Sequence, residues 1–153
     1  MGLVLIGGIY LISKNKKLFT IRYFRNFVVI KYKIMNFNTE AFQKLTTIVG
    51  ENYIFTDAET LLHFGHDETE DLSFPPQVVL KPANAQEISE ILKVANQYKI
   101  PTTPIGARTG LSGGALSIFG GIGLSLERLN KIIEIDENNL QVTTEPAVIT
   151  QVL

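Results

Sequence analysis

A glycine-rich stretch at residues 104–115 has the composition best suited to ligand binding. Four glycines fall within nine residues, and a hydroxyl residue precedes two of them (Thr109 before Gly110, Ser112 before Gly113). Glycine serves where φ is positive or where the backbone must come close to a ligand. Consecutive N–H groups in such a loop form a concave nest for anions such as phosphate. The stretch is therefore predicted to be either a phosphate-binding loop or a glycine-rich surface turn.

The spacing of the glycines excludes two familiar phosphate-binding motifs. It does not match the Gly-x-Gly-x-x-Gly of dinucleotide-binding folds, because the glycines are Gly106, Gly110, Gly113 and Gly114. No Gly-Lys-Ser/Thr sequence follows them, so the stretch is not a Walker loop. A third kind of phosphate-binding loop stays open on physical grounds.

A second candidate for chemistry is the segment at residues 63–71, which is rich in possible metal ligands. His63 and His66 lie three residues apart, with carboxylates after them. The sequence supplies neither the further ligands nor the supporting hydrogen-bond partners that a metal site needs. We interpret the segment as a solvated acidic loop and predict no metal. The absence of cysteine also excludes disulfides, thiolate metal sites and cysteine nucleophiles.

The elements around the glycine stretch predict a strand, a helix and a second strand. Residues 77–80 are predicted to form a short buried strand, and residues 100–105 the next one. Between them, Asn84 and Glu87 form a capping box that begins a helix ending near Tyr98. One face of this helix is predicted to carry Ile88, Ile91, Leu92, Ala95 and Tyr98. This βαβ unit makes the two strands parallel, so the glycine stretch leaves the carboxyl end of a parallel strand, where ligands bind in open sheets.

Further elements flank this unit on both sides. Upstream, a helix capped by Thr39 is predicted to end at Gly50, with Phe42, Leu45, Ile48 and Val49 on its apolar face, and a second helix begins at residues 56–59. Downstream, strands are predicted at residues 121–126, 131–135 and 140–144, the last one half-buried and antiparallel, with a turn at residues 136–139. A final helix begins at Thr150. Because it is cut after one turn, we expect the chain to be a fragment of a longer protein.

The charge distribution divides the chain into segments. Residues 1–34 carry seven basic residues and no acid, whereas residues 35–153 carry seven basic residues and all fifteen acids. The apolar run at residues 1–12 is shorter than the roughly 20 residues that span a bilayer. Three interpretations of this basic, apolar leader stay open: an upstream extension preceding a natural start at Met35, a membrane-surface anchor, and an organelle transit peptide. We predict a helical segment at residues 35–72 and a ligand-binding domain at residues 73–153.

The expected location is cytoplasmic, with peripheral membrane contact through the leader left open. The missing thiols fit the reducing cytosol. No partner nucleic acid is expected, because the basic content of the leader does not continue beyond residue 34.

The motifs from Phe74 to Val148 resemble, in order, the FAD-binding domain of FAD-linked oxidases of the p-cresol methylhydroxylase type. Within that family the chain is most similar to the branch that contains glycolate oxidase and D-lactate dehydrogenase. The segment at residues 65–69 resembles the short Asp-x-Thr segment that precedes this domain. The other matching segments are residues 75–82, 87–96, 100–104, 106–115, 126–133 and 145–148.

The resemblance implies an α+β fold and a cofactor. The fold would be a small βαβ parallel-sheet subdomain followed by the start of a second, mainly antiparallel α/β subdomain, truncated in this chain. In the family the glycine loop wraps the pyrophosphate of FAD. The implied cofactor-binding residues are Gly106, Ala107, Arg108, Thr109, Gly110, Leu111, Ser112, Gly113 and Gly114.

The chain departs from the pattern of the family at three positions. Ile105 stands where the family usually has arginine, and Arg108 where it has a small residue. Arg108 is therefore expected either to pair with a phosphate or to face solvent. Ala147 replaces the usual glycine after Glu145 and Pro146, which leaves a flavin contact at that position open.

The resemblance further implies oxidation of a small 2-hydroxy acid, of the glycolate or D-lactate type, by hydride transfer to FAD. An unidentified acceptor then takes the electrons. No catalytic residue and no metal ligand is assigned, because in full-length members the substrate-binding and metal-binding parts lie further along the chain. The chain alone is expected to be inactive. The alternative is a non-catalytic α/β module that binds a phosphate-bearing ligand or a partner subunit.

Overall fold

The computed structural model describes residues 37–152 and four strands of the leader. These strands form an antiparallel sheet in chain order: β1 (Leu3–Ile6), β2 (Ile9–Ser13), β3 (Leu18–Arg22) and β4 (Ile30–Lys33). No strands were predicted in this part of the chain. Met35 and several basic residues of the leader, Lys14, Lys16, Lys17 and Arg25, lie outside the described residues. None of the helices in the described part of the chain is long and apolar enough to cross a bilayer.

Helix α1 (Thr39–Val49) begins one residue earlier than predicted. Asn38, not Thr39, is the capping residue, because its side-chain oxygen accepts hydrogen bonds from the N–H groups of Glu40 and Ala41 at 2.8 and 3.3 Å. Asparagine with extended backbone at this position is a strong cap. The helix ends at Gly50, as predicted, where φ is 82°.

A short strand and a second helix follow α1. Strand β5 (Ile54–Phe55) leads into helix α2 (Ala58–His63), whose predicted start is confirmed. Asp57 caps α2 by accepting a hydrogen bond from the Thr60 N–H at 2.8 Å. Phe64, the next residue, is fully buried. The residue that follows the helix therefore lies in the interior of the protein.

The central sheet has the strand order β5-β6-β8-β7. Its members besides β5 are β6 (Val78–Leu80), β7 (Thr102–Ile105) and β8 (Ile122–Ser125). Strands β6 and β7 each pair with β8 in parallel, so the predicted parallel direction is confirmed. The two predicted strands are not neighbours, however, because β8 inserts between them. A strand was predicted at residues 121–126, but its central position in the sheet was not.

Close packing of backbones explains why β8 can occupy the middle of the sheet. All four of its residues are buried. A Cβ added to Gly123 would lie 2.9 Å from Pro76 Cγ, and one added to Gly121 would lie 2.2 Å from the carbonyl oxygen of Pro101. Gly121 also has a φ of 75°, which L side chains rarely adopt. The two glycines thus allow β8 to enter a space too narrow for side chains.

Helix α3 (Ala85–Tyr98) connects β6 to β7 and starts with the predicted capping box. The Asn84 side chain accepts from the Glu87 N–H at 2.9 Å, and the Glu87 carboxylate accepts from the Ala83 N–H at 2.8 Å. The predicted apolar face needs one correction. Leu92 is 46% exposed, and Val94 is buried in its place. Leu92 lies about 100° around the helix from the buried Ile91, whereas Val94 lies only about 60° away on the other side.

The core has one layer on each face of the sheet. Val78 and Leu80 of β6 point to one face, where they pack with buried residues of α1 and α3 such as Leu45 and Ile91. Val79 points to the opposite face, where its cluster contains Phe64 and Ile105, with Phe55, Leu61 and Ala115 packed against them. This alternation follows from the period of two along a strand. The second layer places the end of α2 directly beneath the glycine stretch.

The last two strands form a separate hairpin. Strands β9 (Ile132–Asp136) and β10 (Gln141–Thr144) are antiparallel, as predicted, and Asp136 accepts from the Asn139 N–H at 3.1 Å in the turn. The prediction of a half-buried strand is wrong, because β10 is exposed except for Thr144 and Leu140 is 92% exposed. In the described residues no further strand pairs with this hairpin. The chain then forms a 3₁₀ turn at Thr150–Val152, where a helix was predicted; Leu153 lies outside the described residues.

Candidate cofactor-binding site

A cleft of about 430 Å³ lies at the carboxyl end of the parallel strands. Three stretches of chain line it. The first is the beginning of the glycine stretch, the second follows β8, and the third follows the hairpin. The lining residues are Gly106, Ala107, Arg108, Thr109, Glu127, Asn130, Pro146, Ala147, Val148, Ile149 and Thr150. The location agrees with the rule that ligands bind beyond the carboxyl ends of strands in open sheets.

The first half of the glycine stretch, residues 106–109, presents backbone donors at the cleft. It begins directly after Ile105, which is fully buried and accepts a hydrogen bond from the Leu126 N–H at 2.9 Å. A Cβ added to Gly106 would meet no atom within 4 Å, so the space beside it is open. Within the part of the chain that the structure describes, the N–H groups of residues 107–109 have no hydrogen-bond partner. Such a row of free donors suits an anion.

The second half, residues 110–115, faces a different neighbour. The Gly113 N–H donates to Thr69 Oγ1 at 2.8 Å, and the Gly110 carbonyl accepts from the Glu68 N–H at 3.1 Å. Of the nine residues implied as cofactor-binding, Gly106, Ala107, Arg108 and Thr109 therefore line the cleft. The structure places the other five away from it: Gly110, Leu111, Ser112, Gly113 and Gly114. Leu111 is 76% exposed.

Asp67 corrects the interpretation of residues 63–71 as a solvated acidic loop. Asp67 is only 7% exposed, and its Oδ1 accepts from the Thr69 N–H at 3.0 Å. Burial acts to raise the pKa of this carboxyl, but hydrogen bonding to Thr69 and to the Ala115 N–H outweighs burial, so the pKa is lowered. The carboxylate is thus a charged anchor beneath the glycine stretch. Among the described residues, no group of three or more potential ligands could hold a metal ion.

The side chain of Arg108 contacts the end of α2. Its guanidinium donates to the carbonyl oxygen of His63, and Nη2 lies 2.7 Å from His63 Nε2. The guanidinium carbon also lies 5.0 Å from the centre of the Phe64 ring, within the range of a cation–π interaction. The backbone of Arg108 has a φ of 61°, in the left-handed region. Arg108 thus lines the cleft while its guanidinium contacts the end of α2.

The second wall of the cleft carries a carboxylate that is paired with a lysine. Glu127 Oε2 lies 2.6 Å from Lys81 Nζ. The adjacent Arg128 donates to the carbonyl oxygen of Lys81 at 2.8 Å and lies 3.6 Å above the ring of Tyr53. These contacts fix the segment after β8 against β6. Because Lys81 offsets the charge of Glu127, an anionic ligand meets less repulsion there.

Hydrogen bonds join the third wall of the cleft to the second. The Ala147 N–H donates to the carbonyl oxygen of Leu129 at 2.9 Å, and the Glu145 carboxylate accepts from the Lys131 N–H at 2.8 Å. An adjoining cleft of about 370 Å³ has largely apolar walls, formed by Asn130, Ile132, Ala147, Val148, Ile149 and Val152. Apart from Ala147, where a flavin contact was left open, none of these residues was predicted to belong to a site. The available signal was the similarity of residues 126–133 and 145–148 to segments of a known family.

The donor set fits a diphosphate joined to flat, apolar groups. Free N–H groups and the Thr109 hydroxyl are available at the first cleft, and the adjoining cleft offers mainly apolar surface. Binding sites for cofactors typically combine a few polar groups in this way with apolar walls. The fold and the cleft together define a nucleotide-binding domain of a mixed α/β type.

Comparison with known proteins identifies the family. Residues 76–153 match the family described as "FAD binding domain". The chain is 38% identical over 109 residues to the glycolate oxidase protein GlcD of Bacillus subtilis, covering 71% of this chain and 23% of that protein. It is 35% identical over 120 residues to D-lactate dehydrogenase of Anaerostipes hadrus, covering 78% of this chain and 25% of that protein.

A solved structure supports the fold. Substrate-bound p-cresol methylhydroxylase superposes with a TM-score of 0.64 at 24% identity, over 71% of this chain and 22% of that one. The chain belongs to the FAD-binding domain family of FAD-linked oxidoreductases, and its cofactor is FAD. The predicted fold of p-cresol methylhydroxylase type is confirmed. The chain spans about a quarter of the length of the curated relatives that it matches.

Proposed function

We propose that this chain is the FAD-binding part of an oxidoreductase that oxidises a small 2-hydroxy acid of the glycolate or D-lactate type. The names of its relatives support this substrate class. Since the chain spans about a quarter of these relatives, we assign substrate binding to segments that correspond to the rest of their length. The observation that carries the proposal is the row of free N–H groups at residues 107–109, in a cleft at the carboxyl edge of the sheet.

In this proposal the chain holds and orients the cofactor. The N–H groups of residues 107–109 and the Thr109 hydroxyl donate to the pyrophosphate, and small side chains at Gly106 and Ala107 permit close approach. Lys81 limits the repulsion between Glu127 and the phosphates. Bound FAD supplies the acceptor for the hydride that leaves the carbon bearing the hydroxyl group.

Two matched glycine variants test the position of the FAD site. Gly106 and Gly114 both have open space at the Cβ position and no positive φ, but only Gly106 lines the cleft. Gly106→Glu places a carboxylate against the phosphates, so we expect affinity for FAD to fall at least about tenfold, which corresponds to about 1.4 kcal/mol. Gly114→Glu should bind FAD as the unmodified chain does. Quenching of flavin fluorescence during titration of the chain measures the dissociation constants.

Two outcomes of this titration would contradict different parts of the proposal, namely that the chain binds FAD and that it binds FAD in this cleft. A chain that binds no FAD at all contradicts the proposed role. A chain that binds FAD, with both glutamate variants unchanged, shows that the cofactor lies elsewhere than in this cleft.

A second experiment tests the substrate class. The natural gene product that contains this chain is purified with its flavin and mixed without oxygen with glycolate, D-lactate or L-lactate. Hydride transfer removes the visible absorbance of the oxidised flavin, and we expect this loss with glycolate or D-lactate. Propionate, which lacks the hydroxyl group, is the control. An oxidised flavin that persists with all of the hydroxy acids refutes the substrate class but leaves the FAD site intact.

A further inference from the structure

A short segment that precedes the residues matched by the family forms hydrogen bonds with the second half of the glycine stretch. The segment consists of residues 65–69, whereas the family match begins at residue 76. Two hydrogen bonds join them. Glu68 N–H donates to the Gly110 carbonyl at 3.1 Å, and Gly113 N–H donates to Thr69 Oγ1 at 2.8 Å.

This segment, which we call the anchor segment, is itself fixed to the core. It follows Phe64, which is fully buried in the cluster that contains Val79 and Ile105. The carbonyl of Gly65 accepts from the Phe74 N–H, and a Cβ at Gly65 would lie 2.9 Å from the backbone of Pro75. The anchor segment is therefore held against the core. The residues of the glycine stretch that bond to it are held there as well.

One N–H group of the glycine stretch is held by the anchor segment, since that of Gly113 donates to Thr69 Oγ1. Those of residues 107–109 have no partner in the described structure, and these residues line the cleft. Those of residues 110–112 and 114 have no partner there either, but these residues do not line the cleft. A loop whose glycines leave it conformationally free would lose entropy on binding a ligand. Fixing one half in advance reduces that loss for the other half.

We propose that Thr69 and Asp67 are positioning residues for the FAD-binding loop. They hold residues 110–115 so that the free N–H groups of residues 107–109 are already directed to the cleft before FAD arrives. Thr69 acts through its hydroxyl oxygen, the acceptor of the Gly113 N–H. Asp67 acts by fixing Thr69 through the bond from the Thr69 N–H to Oδ1. This inference rests on the FAD site proposed above.

Variants of Thr69 test the proposal through affinity. Thr69→Val keeps the shape of the side chain but leaves the Gly113 N–H without its acceptor, so we expect FAD to bind about tenfold more weakly. Thr69→Ser keeps the hydroxyl and should bind within about twofold of the unmodified chain. Thr47→Val is the matched control, because it removes a hydroxyl that bonds to the Gln43 carbonyl in α1, away from the loop.

Thermal unfolding distinguishes positioning from a general structural role. Thr69→Val and Thr47→Val are both expected to unfold within a few degrees of the unmodified chain, while only Thr69→Val loses affinity for FAD. Equal affinities of all variants overturn the proposal but leave the FAD site standing. A loss of affinity that Thr69→Ser fails to rescue also overturns it, because the hydroxyl is then not the cause.

Amide hydrogen exchange tests the same proposal without a variant. In the chain free of FAD, the Gly113 N–H should exchange at least about tenfold more slowly than those of residues 107–109, because only Gly113 has an acceptor. Added FAD should slow exchange at residues 107–109 and leave Gly113 nearly unchanged. Fast exchange at Gly113 in the free chain overturns the proposal, even if Thr69→Val fails to fold. If FAD does not bind at all, the site fails, and the free-chain exchange rates still decide whether the loop is fixed in advance.

Discussion

At the scale of single residues, the glycines of the chain serve different physical purposes. Gly106 and Gly114 have open space where a Cβ would stand, so their sites do not exclude a side chain sterically. Gly121 has both a positive φ and a backbone oxygen 2.2 Å from the Cβ position, so it is required by the fold. Gly113 has a φ of 72° and a Cβ position 3.3 Å from Leu116. Its role is therefore to shape the loop, since its N–H is already bonded to Thr69.

Gly113→Val is expected to weaken FAD binding through the shape of the loop. A β-branched residue at positive φ costs on the order of 1–2 kcal/mol, which corresponds to roughly a tenfold loss of affinity if the loop relaxes away from its binding shape. Gly110→Val is the matched control, because Gly110 has neither a positive φ nor a close neighbour. Fluorescence titration with FAD measures both variants. Unchanged affinity of Gly113→Val, with a folded chain, would show that this half of the loop does not control binding.

At the scale of elements, α3 connects the strands on either side of β8 and covers one face of the sheet. Its two ends differ in how well their residues suit the end of a helix. The N-terminal end has a complete set of capping bonds from Asn84 and Glu87. At the C-terminal end, Lys99 adopts the left-handed conformation with φ of 54°, a position at which glycine is favoured. The helix is therefore well specified at its start and strained at its end.

Substitutions at the two ends of α3 should change stability in opposite directions. Asn84→Ala removes the cap and should cost about 1 kcal/mol, or roughly 2–4 °C in melting temperature. Lys99→Gly relieves the left-handed strain and should raise stability by a few tenths to about 1 kcal/mol. Thermal unfolding followed by circular dichroism measures both. A stabilising Asn84→Ala, or a clearly destabilising Lys99→Gly, would contradict this account of the helix ends.

At the scale of the whole molecule, several carboxyl groups are stabilised in their ionised form. Hydrogen bonding and attraction to Lys44 lower the pKa of Glu40, and hydrogen bonds to the backbone and side chain of Thr60 lower that of Asp57. The side chain and backbone of Asn139 lower the pKa of Asp136. The pKa of Asp67 is lowered despite its burial. The native state therefore binds protons less readily than the unfolded state in this range.

The sign of the pH dependence follows from these lowered pKa values. Each group contributes its stability above its unfolded pKa and loses that contribution as the pH falls through its folded pKa. We expect the melting temperature to be level from pH 7 to about 5 and to fall below about pH 4, the range of ordinary aspartate and glutamate pKa values. A double variant, Asp57→Asn with Asp136→Asn, should show a smaller fall. A melting temperature that rises on acidification would contradict the assignment.

The sequence by itself determined the features that depend on nearby residues. The capping box of α3, the start of α2, the end of α1 at Gly50 and the turn of the β9–β10 hairpin were all predicted, because hydrogen bonds within a few residues specify them. The errors at this level were small, such as Thr39 for Asn38 as the cap of α1. The similarity of short segments to a known family added the cofactor, which physical reasoning on the glycine stretch alone had left open.

Only the tertiary structure decided how distant parts of the chain meet. It placed β8 between β6 and β7, exposed strand β10, which alternation predicted to be half-buried, and turned Arg108 onto the end of α2. It also divided the glycine stretch, since the bond from Gly113 to Thr69 joins residues 44 positions apart. Periodicity reports which face of an element is apolar, but not which neighbour covers that face. Pairing between remote residues depends on the packing of the whole core, and no local pattern in the sequence records it.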